Sequence, residues 1–181
     1  MTDPFMQALP AHTDVPCAVR ALHEGEGLYS GVCDIERGRG WLIAAALWFG
    51  RFPHNGRNVP VQVEIKRTGQ TWLWQRNFDD HTTLSRLTFD NLSGHVKEQF
   101  DHMSIWLQPV RVLDGLRMDI HRLTVMGIRC PKLLLPRSST CEWQDDQGRF
   151  CFDVAAHIPG LGLLIRYHGW LTPVHAGPDP T

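Results

Sequence analysis

Arginines on apolar strand faces are the residues of this sequence with the clearest chemical potential. In the segment "VPVQVEIKRTGQTWLWQRNF", the two-residue period of a strand places Arg76 on the same face as Trp72 and Trp74. Arg122 falls in the same way beside Ile120 in a second strand pattern. A guanidinium is almost never fully buried without a partner, because removing its charge from water is costly. These arginines therefore need either a partner or a function.

Arg37 joins this group if the first strand is regular, since it then shares a face with Cys33 and Ile35. Three arrangements would accommodate such arginines. Each could reach the rim of the sheet and extend into water. Each could line a cavity and bind an anionic ligand head group, for which the planar guanidinium is well shaped. Each could instead pair with an internal acid, the candidates being Asp34, Glu36, Glu142 and Asp153.

Other motifs that carry chemistry are incomplete or missing. Gly38 and Gly40 resemble the start of a dinucleotide fingerprint, but the sixth position is Ile43, where a glycine is needed for close packing. The ten histidines include no HxH, HExxH or Cys/His spacing typical of metal ligands. No nucleophile elbow of the GxSxG type occurs. We therefore predict no cofactor and no metal, and the sequence leans against an enzyme without deciding the matter.

Composition excludes several classes of protein. Lys and Arg number 18 and Asp and Glu number 19, so no overall positive field attracts nucleic acid. The five cysteines form no CxxC pair, which indicates reduced thiols, and the N-terminus lacks the apolar run of a signal peptide. We therefore expect a cytoplasmic protein. The longest apolar run, Trp41–Phe49, has nine residues. A membrane-spanning helix needs about 20, so we predict no membrane span.

The elements that must position the arginines follow from the local patterns. We expect three parts: a flexible lead over residues 1–14, one globular β-rich domain over residues 15–174 and a disordered tail over residues 175–181. "VPCAVRALHEGEG" predicts a short helix that begins near Pro16 and ends at Gly25 or Gly27. "LYSGVCDIERG" predicts a strand, and the Ala- and Leu-rich segment from Trp41 to Arg51 predicts a helix.

Three hairpins fix the predicted faces. A turn at Thr68-Gly69 pairs Ile65 with Trp72, Val63 with Trp74, Val61 with Arg76 and Val59 with Phe78. A turn at Asp114-Gly115 collects one face made of Ile105, Leu107, Pro109, Arg111, Leu113, Leu116, Met118, Ile120, Arg122 and Thr124. A turn from Asp145 to Gly148 groups Cys141, Trp143, Phe150, Phe152 and Val154.

These elements predict a mainly β (α+β) fold. We expect a strongly curved antiparallel sheet or barrel of about eight to ten strands, with two or three short helices covering one side, because flat sheets of that size are uncommon. A sheet wrapped around one long helix is the alternative. The strand pattern of "LGLLIRYHGWLTPV" near the end of the chain disfavours it, since no long amphipathic helix follows.

Four stretches carry a resemblance to a bacterial domain family: "GLYSGVCDIERGRGWL", "GRNVPVQVEIKR", "LLLPRSS" and "FCFDVAAHIPGLGLLIRYHGWLTPV". In these stretches, which occur in the family's order, the chain resembles domain of unknown function 4166. In that family the domain also occurs C-terminal to saccharopine-dehydrogenase-like NAD(P)-binding domains, so the resemblance implies an oxidoreductase neighbour or partner. It implies no catalytic residues. The positions it marks are Glu36, Arg37, Arg39, Arg57, Arg76, Arg166, Tyr167 and Trp170.

The favoured hypothesis is a non-enzymatic binding domain that holds a small amphipathic or anionic ligand, such as an acyl chain, in a cavity of the curved sheet. The candidate ligand-binding residues are Arg37, Arg76, Arg122, Arg166, Tyr167, Trp72 and Trp74. The first alternative is an interaction module without a cavity, which predicts an exposed apolar patch on the Trp41 helix. The second is a substrate-binding partner of an NAD(P)-dependent oxidoreductase, which the resemblance alone motivates.

Overall fold

Twelve strands and three short α-helices make up residues 3–174, the part of the chain that this computed structural model describes. The helices are α1 (Pro4–Ala8), α2 (Cys17–Glu24) and α3 (Trp41–Phe49), and Lys132–Leu134 forms one 3-10 turn. The strands are β1 (Gly27–Arg37), β2 (Gly56–Thr68), β3 (Thr71–Phe78), β4 (His81–Asp90), β5 (His95–Gln99), β6 (Met103–Val112), β7 (Gly115–Val125), β8 (Ile128–Arg129), β9 (Arg137–Ser138), β10 (Thr140–Gln144), β11 (Phe150–Ile158) and β12 (Gly162–Pro173). The predicted tail, residues 175–181, lies outside the described residues.

Ten of the strands close into an antiparallel barrel, which confirms the predicted fold class. The ring runs β10-β11-β12-β1-β2-β3-β4-β5-β6-β7, and pairing of β7 with β10 completes it. At this seam a Cβ atom on Gly115 would lie 1.8 Å from the carbonyl oxygen of Glu142, so only glycine permits the close approach of the two strands. The strands β8 and β9 extend the ring at its rim.

Side chains alternate between an apolar interior and an outer face, as the two-residue period requires. The interior residues of β2 and β3 include Val61, Val63, Ile65, Trp72, Trp74 and Phe78. All six are buried, which confirms the predicted face of this hairpin. The barrel therefore presents aromatic and branched aliphatic side chains inward.

The register of the first hairpin differs from the prediction by two residues. Gly69 and Gln70 form the turn, so that Val63 lies opposite Arg76 and Val61 lies opposite Phe78. Gly69 has a φ of 62°, and the first central position of such a turn favours glycine because it needs a positive φ. Since the shift is an even number of residues, every side chain keeps its predicted face.

The second hairpin contains a β-bulge that corrects the placement of Arg122. Leu107 lies opposite Ile120, but the next pair is Trp106 with Arg122, so His121 is an extra residue in β7. An extra residue reverses the faces beyond it. The prediction that Arg122 shares the interior face of Ile120 is therefore wrong.

The third hairpin also differs in its faces. Glu142 lies opposite Phe152, and Trp143 lies opposite Cys151. Phe152 belongs to the core, so Glu142 points inward, whereas Trp143 lies on the outer face of β10. The predicted grouping of Trp143 with Phe152 is wrong because the longer turn changes the register by an odd number of residues.

The N-terminal segment closes one end of the barrel. We expected a flexible lead over residues 1–14, but its described part forms α1, whose Phe5 is buried beside His23 and Trp74 with ring centroids 4.5 and 6.3 Å away. Asp3 caps this helix by accepting a hydrogen bond from the backbone N–H of Phe5. The helix predicted to begin near Pro16 is confirmed as α2, which ends at Gly25 and contacts β10 and β11.

Helix α3 crosses the opposite end of the barrel. The helix contacts β12, and its last residue, Phe49, packs edge-on against His102 with ring centroids 4.5 Å apart. His102 lies in the β5–β6 turn, which is on the far side of the ring from β12. The helix therefore spans the opening, as the burial of Ile43 and Leu47 also indicates. Within residues 3–174, no helix has the length and apolar character needed to cross a bilayer.

Candidate functional site

A polar cluster lies in the apolar interior at the α3 end of the barrel. Arg76 donates from Nη1 to Ser85 Oγ at 2.9 Å and from Nη2 to Glu98 Oε1 at 2.9 Å. Ser85 Oγ also donates to Glu98 Oε1 at 2.7 Å. The guanidinium carbon lies 5.0 Å from the ring centroid of Trp74, a cation–π geometry. We call Arg76, Ser85 and Glu98 the Arg76 cluster.

The Arg76 cluster is buried but reaches water on one side. Ser85 and Glu98 are 1% and 7% exposed, whereas the side chain of Arg76 keeps 21% of its exposure. An inward-facing side chain of a closed barrel can be exposed only if water enters the barrel. Because α1 and α2 cover the other end, we infer that water reaches Arg76 from the α3 end, past the helix that spans it.

Tyr167 brings a hydroxyl group to the same region. Its ring stacks on Phe78 with centroids 5.2 Å apart, and it follows Ile165 on the interior face of β12. Burial raises the pKa of Tyr167, and the positive charges of Arg76 and Arg37 oppose this rise without cancelling it. The phenol is therefore neutral at physiological pH. Within residues 3–174 its hydroxyl has no hydrogen-bond partner.

Arg37 lies at the rim of the same opening. It follows Ile35 on the interior face of β1, and its Nη1 lies 3.2 Å from Nδ1 of His54. None of the ion pairs formed among residues 3–174 joins Arg37 to a carboxylate. It is therefore a cation without a matching acid, and it acts on the phenol of Tyr167 through its charge.

Apolar side chains between the rim and the Arg76 cluster are only partly buried. They include Val59, Val154, Ala156 and Ile158, which pack against the core without being enclosed by it. Trp72 and Trp74 lie deeper and are buried. The arrangement is an apolar wall above a polar floor, which is the chemistry that an amphipathic molecule complements.

Two of the predicted site residues lie on the outer face instead. The guanidinium carbon of Arg122 lies 3.5 Å from the ring centroid of Trp106, and its Nη2 donates to Asp90 Oδ2 at 3.2 Å. Arg166 forms a bidentate pair with Asp153, to whose two oxygens its Nε and Nη2 donate at 2.8 and 2.5 Å. These pairs stabilise the outer surface, and neither arginine belongs to the interior site.

Sequence reasoning missed the acids that matter most. The partners of Arg76 and Arg122 are Glu98 and Asp90, and neither was among the predicted candidates. The sequence could have identified Glu98 as an internal acid, since it lies two residues after Val96 and so falls on the same apolar strand face. The predicted candidate Asp153 does pair with Arg166, but on the outer face.

A second polar cluster lies at the plugged end. His23 is fully buried, with Nε2 2.7 Å from Glu142 Oε2 and Nδ1 4.0 Å from Asp3 Oδ1. Burial disfavours the imidazolium, but the facing carboxylates of Glu142 and Asp3 outweigh it and raise the pKa of His23. Burial also raises the pKa of Asp3 to about 6. No route from water is evident, so we assign this cluster to stability.

Two other features carry no site. A surface depression of about 480 Å³ lies beside α1, lined in part by Met6, Leu9 and an Arg20–Glu24 pair whose charges neutralise each other. Among residues 3–174 no three His, Cys, Asp or Glu side chains are grouped so that they could hold a metal ion. Burial raises the pKa of the Cys33 thiol to about 12, which leaves it unreactive.

The comparison with protein families agrees with the barrel described above. A family model described as "Domain of unknown function (DUF4166)" matches residues 16–171. The chain belongs to this family. The match covers most of the barrel, together with α2 and α3, and it confirms the resemblance noted in the sequence. No curated protein matches the chain. The DUF4166 domain therefore brings a shared fold, and its function has to be argued from its own residues.

Proposed function

We propose that this DUF4166 barrel binds a small amphipathic ligand through the opening at its α3 end. The observation that carries the proposal is the 21% exposure of the interior Arg76 side chain, beside a Tyr167 hydroxyl without a protein partner. A polar head would reach these two groups, and an apolar chain would lie along the partly exposed wall that includes Val59, Val154 and Ala156.

The charges favour a head group with a single negative charge. Arg76 and Glu98 neutralise each other, so the Arg76 cluster contributes hydrogen-bond donors but no net charge. Arg76 uses one N–H of each terminal nitrogen for Ser85 and Glu98, which leaves other donors of its fork for a ligand. Arg37 adds one unmatched positive charge at the rim. A carboxylate fits this balance better than a doubly charged phosphate.

The sharpest test replaces each of the two tyrosines in turn. Tyr167→Phe removes a hydroxyl that makes no protein hydrogen bond, so we expect unchanged stability but roughly tenfold weaker binding of 11-(dansylamino)undecanoate, the loss of about one hydrogen bond. The matched control is Tyr29→Phe, whose hydroxyl donates to the backbone oxygen of Ala21 at 2.9 Å. This control should lose about 1 kcal/mol of stability and keep its affinity.

Binding is measured by energy transfer from the seven tryptophans to the dansyl group. The opposite pattern, with Tyr29→Phe weakening binding and Tyr167→Phe leaving it intact, would place the ligand at the plugged end and refute the assignment. Equal binding by both variants and the wild type would show that the probe does not reach Tyr167, and it would also refute the assignment.

The oxidoreductase partner and the cytoplasmic location stay predictions. The first rests on the family resemblance alone, and no described residue adds to it. Affinity purification of the tagged chain from its native cytoplasm tests both, since recovery from that fraction together with an NAD(P)-binding dehydrogenase would support them. Recovery without such a dehydrogenase at stoichiometric level would count against the partnership.

A further inference from the structure

Helix α3 exposes an aromatic face that the barrel does not use. Trp41 and Trp48 are 79% and 80% exposed, and Leu42 and Phe49 are 44% and 43% exposed. Since a helix turns through almost two full turns in seven residues, Trp41 and Trp48 lie on one side of it. Ile43 and Leu47 fill the other side, which packs on the barrel. The exposed face therefore points away from the barrel opening.

The exposed face of α3 has a large apolar area, and no part of the described chain covers it. A tryptophan side chain offers about 150–250 Å² of surface, so these two expose roughly 300 Å² between them. Single apolar side chains on a surface are ordinary, but contiguous apolar patches of several hundred Å² mark interaction sites.

The chain on either side of α3 is rich in arginine. Residues 36–58 contain Arg37, Arg39, Arg51 and Arg57 against one acid, Glu36, whereas the whole chain has a net charge of −1. Arg39 directly precedes the N-cap of α3, and Arg51 directly follows its C-cap. Arg51 is paired with Asp101 at 3.6 Å, but Arg39 and Arg57 are exposed and form no ion pair among residues 3–174. Asp79, Asp80 and Asp101 lie in turns at the same end of the barrel, so the unpaired positive charge near α3 comes from Arg39 and Arg57.

We propose that α3 docks on an anionic lipid bilayer, with Trp41 and Trp48 at the level of the lipid head groups. Tryptophan suits that position because its ring is apolar and its N–H is polar. Flanking arginines add attraction to anionic lipids, which is the usual composition of helices that lie in the membrane interface. A protein partner would explain the apolar face equally well, but it gives no reason for the unpaired arginines Arg39 and Arg57 beside it.

Docking through this face turns the barrel opening toward the bilayer. An amphipathic molecule dissolved in the bilayer would then reach the interior past α3 without crossing bulk water. This exchange step rests on the function proposed above, whereas docking rests on α3 alone. The two can fail separately, since docking is measured without any ligand and ligand binding is measured without any membrane.

The test is sedimentation of the full chain with vesicles of phosphatidylcholine, with or without about one-third phosphatidylserine. We expect binding to the anionic vesicles that weakens in high salt, with a blue shift of tryptophan emission. The double variant Trp41→Ala/Trp48→Ala should bind at least about tenfold more weakly. The matched control, Leu92→Ala/Leu113→Ala, truncates side chains that are 99% and 94% exposed elsewhere and should bind like the wild type.

A charge variant tests the second half of the argument. Arg39→Gln/Arg57→Gln should lower the preference for phosphatidylserine, and Arg86→Gln, an exposed arginine in the middle of β4, should not. Circular dichroism checks that each variant is folded. Absence of vesicle binding by the folded wild type would overturn the proposal. So would self-association abolished by Trp41→Ala/Trp48→Ala without vesicle binding, which would assign the face to a second copy of the chain.

Discussion

At the scale of single residues, the barrel interior separates two polar clusters by their access to water. The Arg76 cluster is open at the α3 end, and the cluster of Asp3, His23 and Glu142 is sealed behind α1 and α2. In the open cluster, Glu98 accepts hydrogen bonds from the guanidinium of Arg76 and from the hydroxyl of Ser85, and these contacts compensate for burying the pair. In the sealed cluster burial opposes the charged form of His23, but the facing carboxylates of Glu142 and Asp3 raise its pKa.

Replacing Arg76 alone should lower the free energy of unfolding more than replacing Arg76 and Glu98 together. Arg76→Met leaves Glu98 in the interior without a counter-charge, and we expect a loss of about 2–3 kcal/mol, below the full cost of a sealed pair because Arg76 is partly exposed. Arg76→Met/Glu98→Gln should recover most of this loss. Arg86→Met, at an exposed position on β4, should change stability by less than about 0.5 kcal/mol. Urea unfolding measures all three, and a double variant less stable than Arg76→Met would contradict the pairing.

The sealed cluster predicts a pH dependence with a definite sign. Because the folded pKa of His23 is raised above 6.5, its contribution to stability is complete below pH 6.5 and is lost as the pH rises through the folded value. Asp3, raised to about 6, acts in the same direction at lower pH. We therefore expect the melting temperature to fall from pH 6.5 upward.

Thermal unfolding across this pH range checks the prediction. His23→Gln should flatten the fall, whatever its effect on absolute stability, because glutamine cannot titrate. His168→Gln, at an exposed position of β12, should leave the fall unchanged. A fall that persists undiminished in His23→Gln would assign the effect to another group.

The residue scale also shows what could be read from the sequence. Alternation placed Arg76 correctly on the face of Trp74, because the two-residue period is local. Its partner Glu98 comes from β5, two strands further around the ring, and no local pattern links the two. The face of Arg122 was reversed by a bulge whose extra residue has no distinctive composition.

At the scale of elements, the helices at the two ends of the barrel do different work. Helices α1 and α2 bury Phe5, Val19 and Leu22 and so complete the core. Helix α3 buries only Ile43 and Leu47 and leaves its aromatic residues in water. The Ala- and Leu-rich composition predicted α3 as a helix, but composition does not reveal which face of an entirely apolar helix is covered.

The role of α1 gives an element-scale prediction. Phe5→Ala should destabilise the protein by about 3–5 kcal/mol, because it leaves a cavity against His23 and Trp74. Leu92→Ala, a similar truncation at a 99% exposed turn, should have almost no effect. Chemical denaturation measures both free energies of unfolding. Equal stability of Phe5→Ala and the wild type would restore the view of this segment as a flexible lead.

The element scale also marks the limit of turn chemistry as a guide. Thr68-Gly69 and Asp114-Gly115 identified both hairpins, yet the turns begin one residue later in the first and one residue earlier in the second. A shift of the turn by one residue moves the pairing by two, so the faces next to both turns survived and the cross-strand partners did not. The hydrophobic period thus determines faces, and the exact register depends on backbone angles at the turn.

At the scale of the whole molecule, the barrel is filled at one end and accessible to water at the other. The sequence predicted a closed or strongly curved sheet from its number of strands, its short connections and its many aromatic residues. The structure shows that the sheet closes, because β7 pairs with β10. The plug at one end depends on residues that carry no strong sequence signal, since α1 is five residues long. The asymmetry between the ends, which defines the candidate site, emerges only from the assembled ring.

Native mass spectrometry of the chain with 11-(dansylamino)undecanoate tests the central claim most directly, because it counts bound molecules. We predict a one-to-one complex that disappears on denaturation, is weakened in Tyr167→Phe and is retained in Tyr29→Phe. The protein as purified could also carry a discrete excess mass that the probe displaces. That result would support the same claim, with a natural ligand in place of the probe. A bare mass at every probe concentration, with folded protein, would contradict a binding function for the barrel interior.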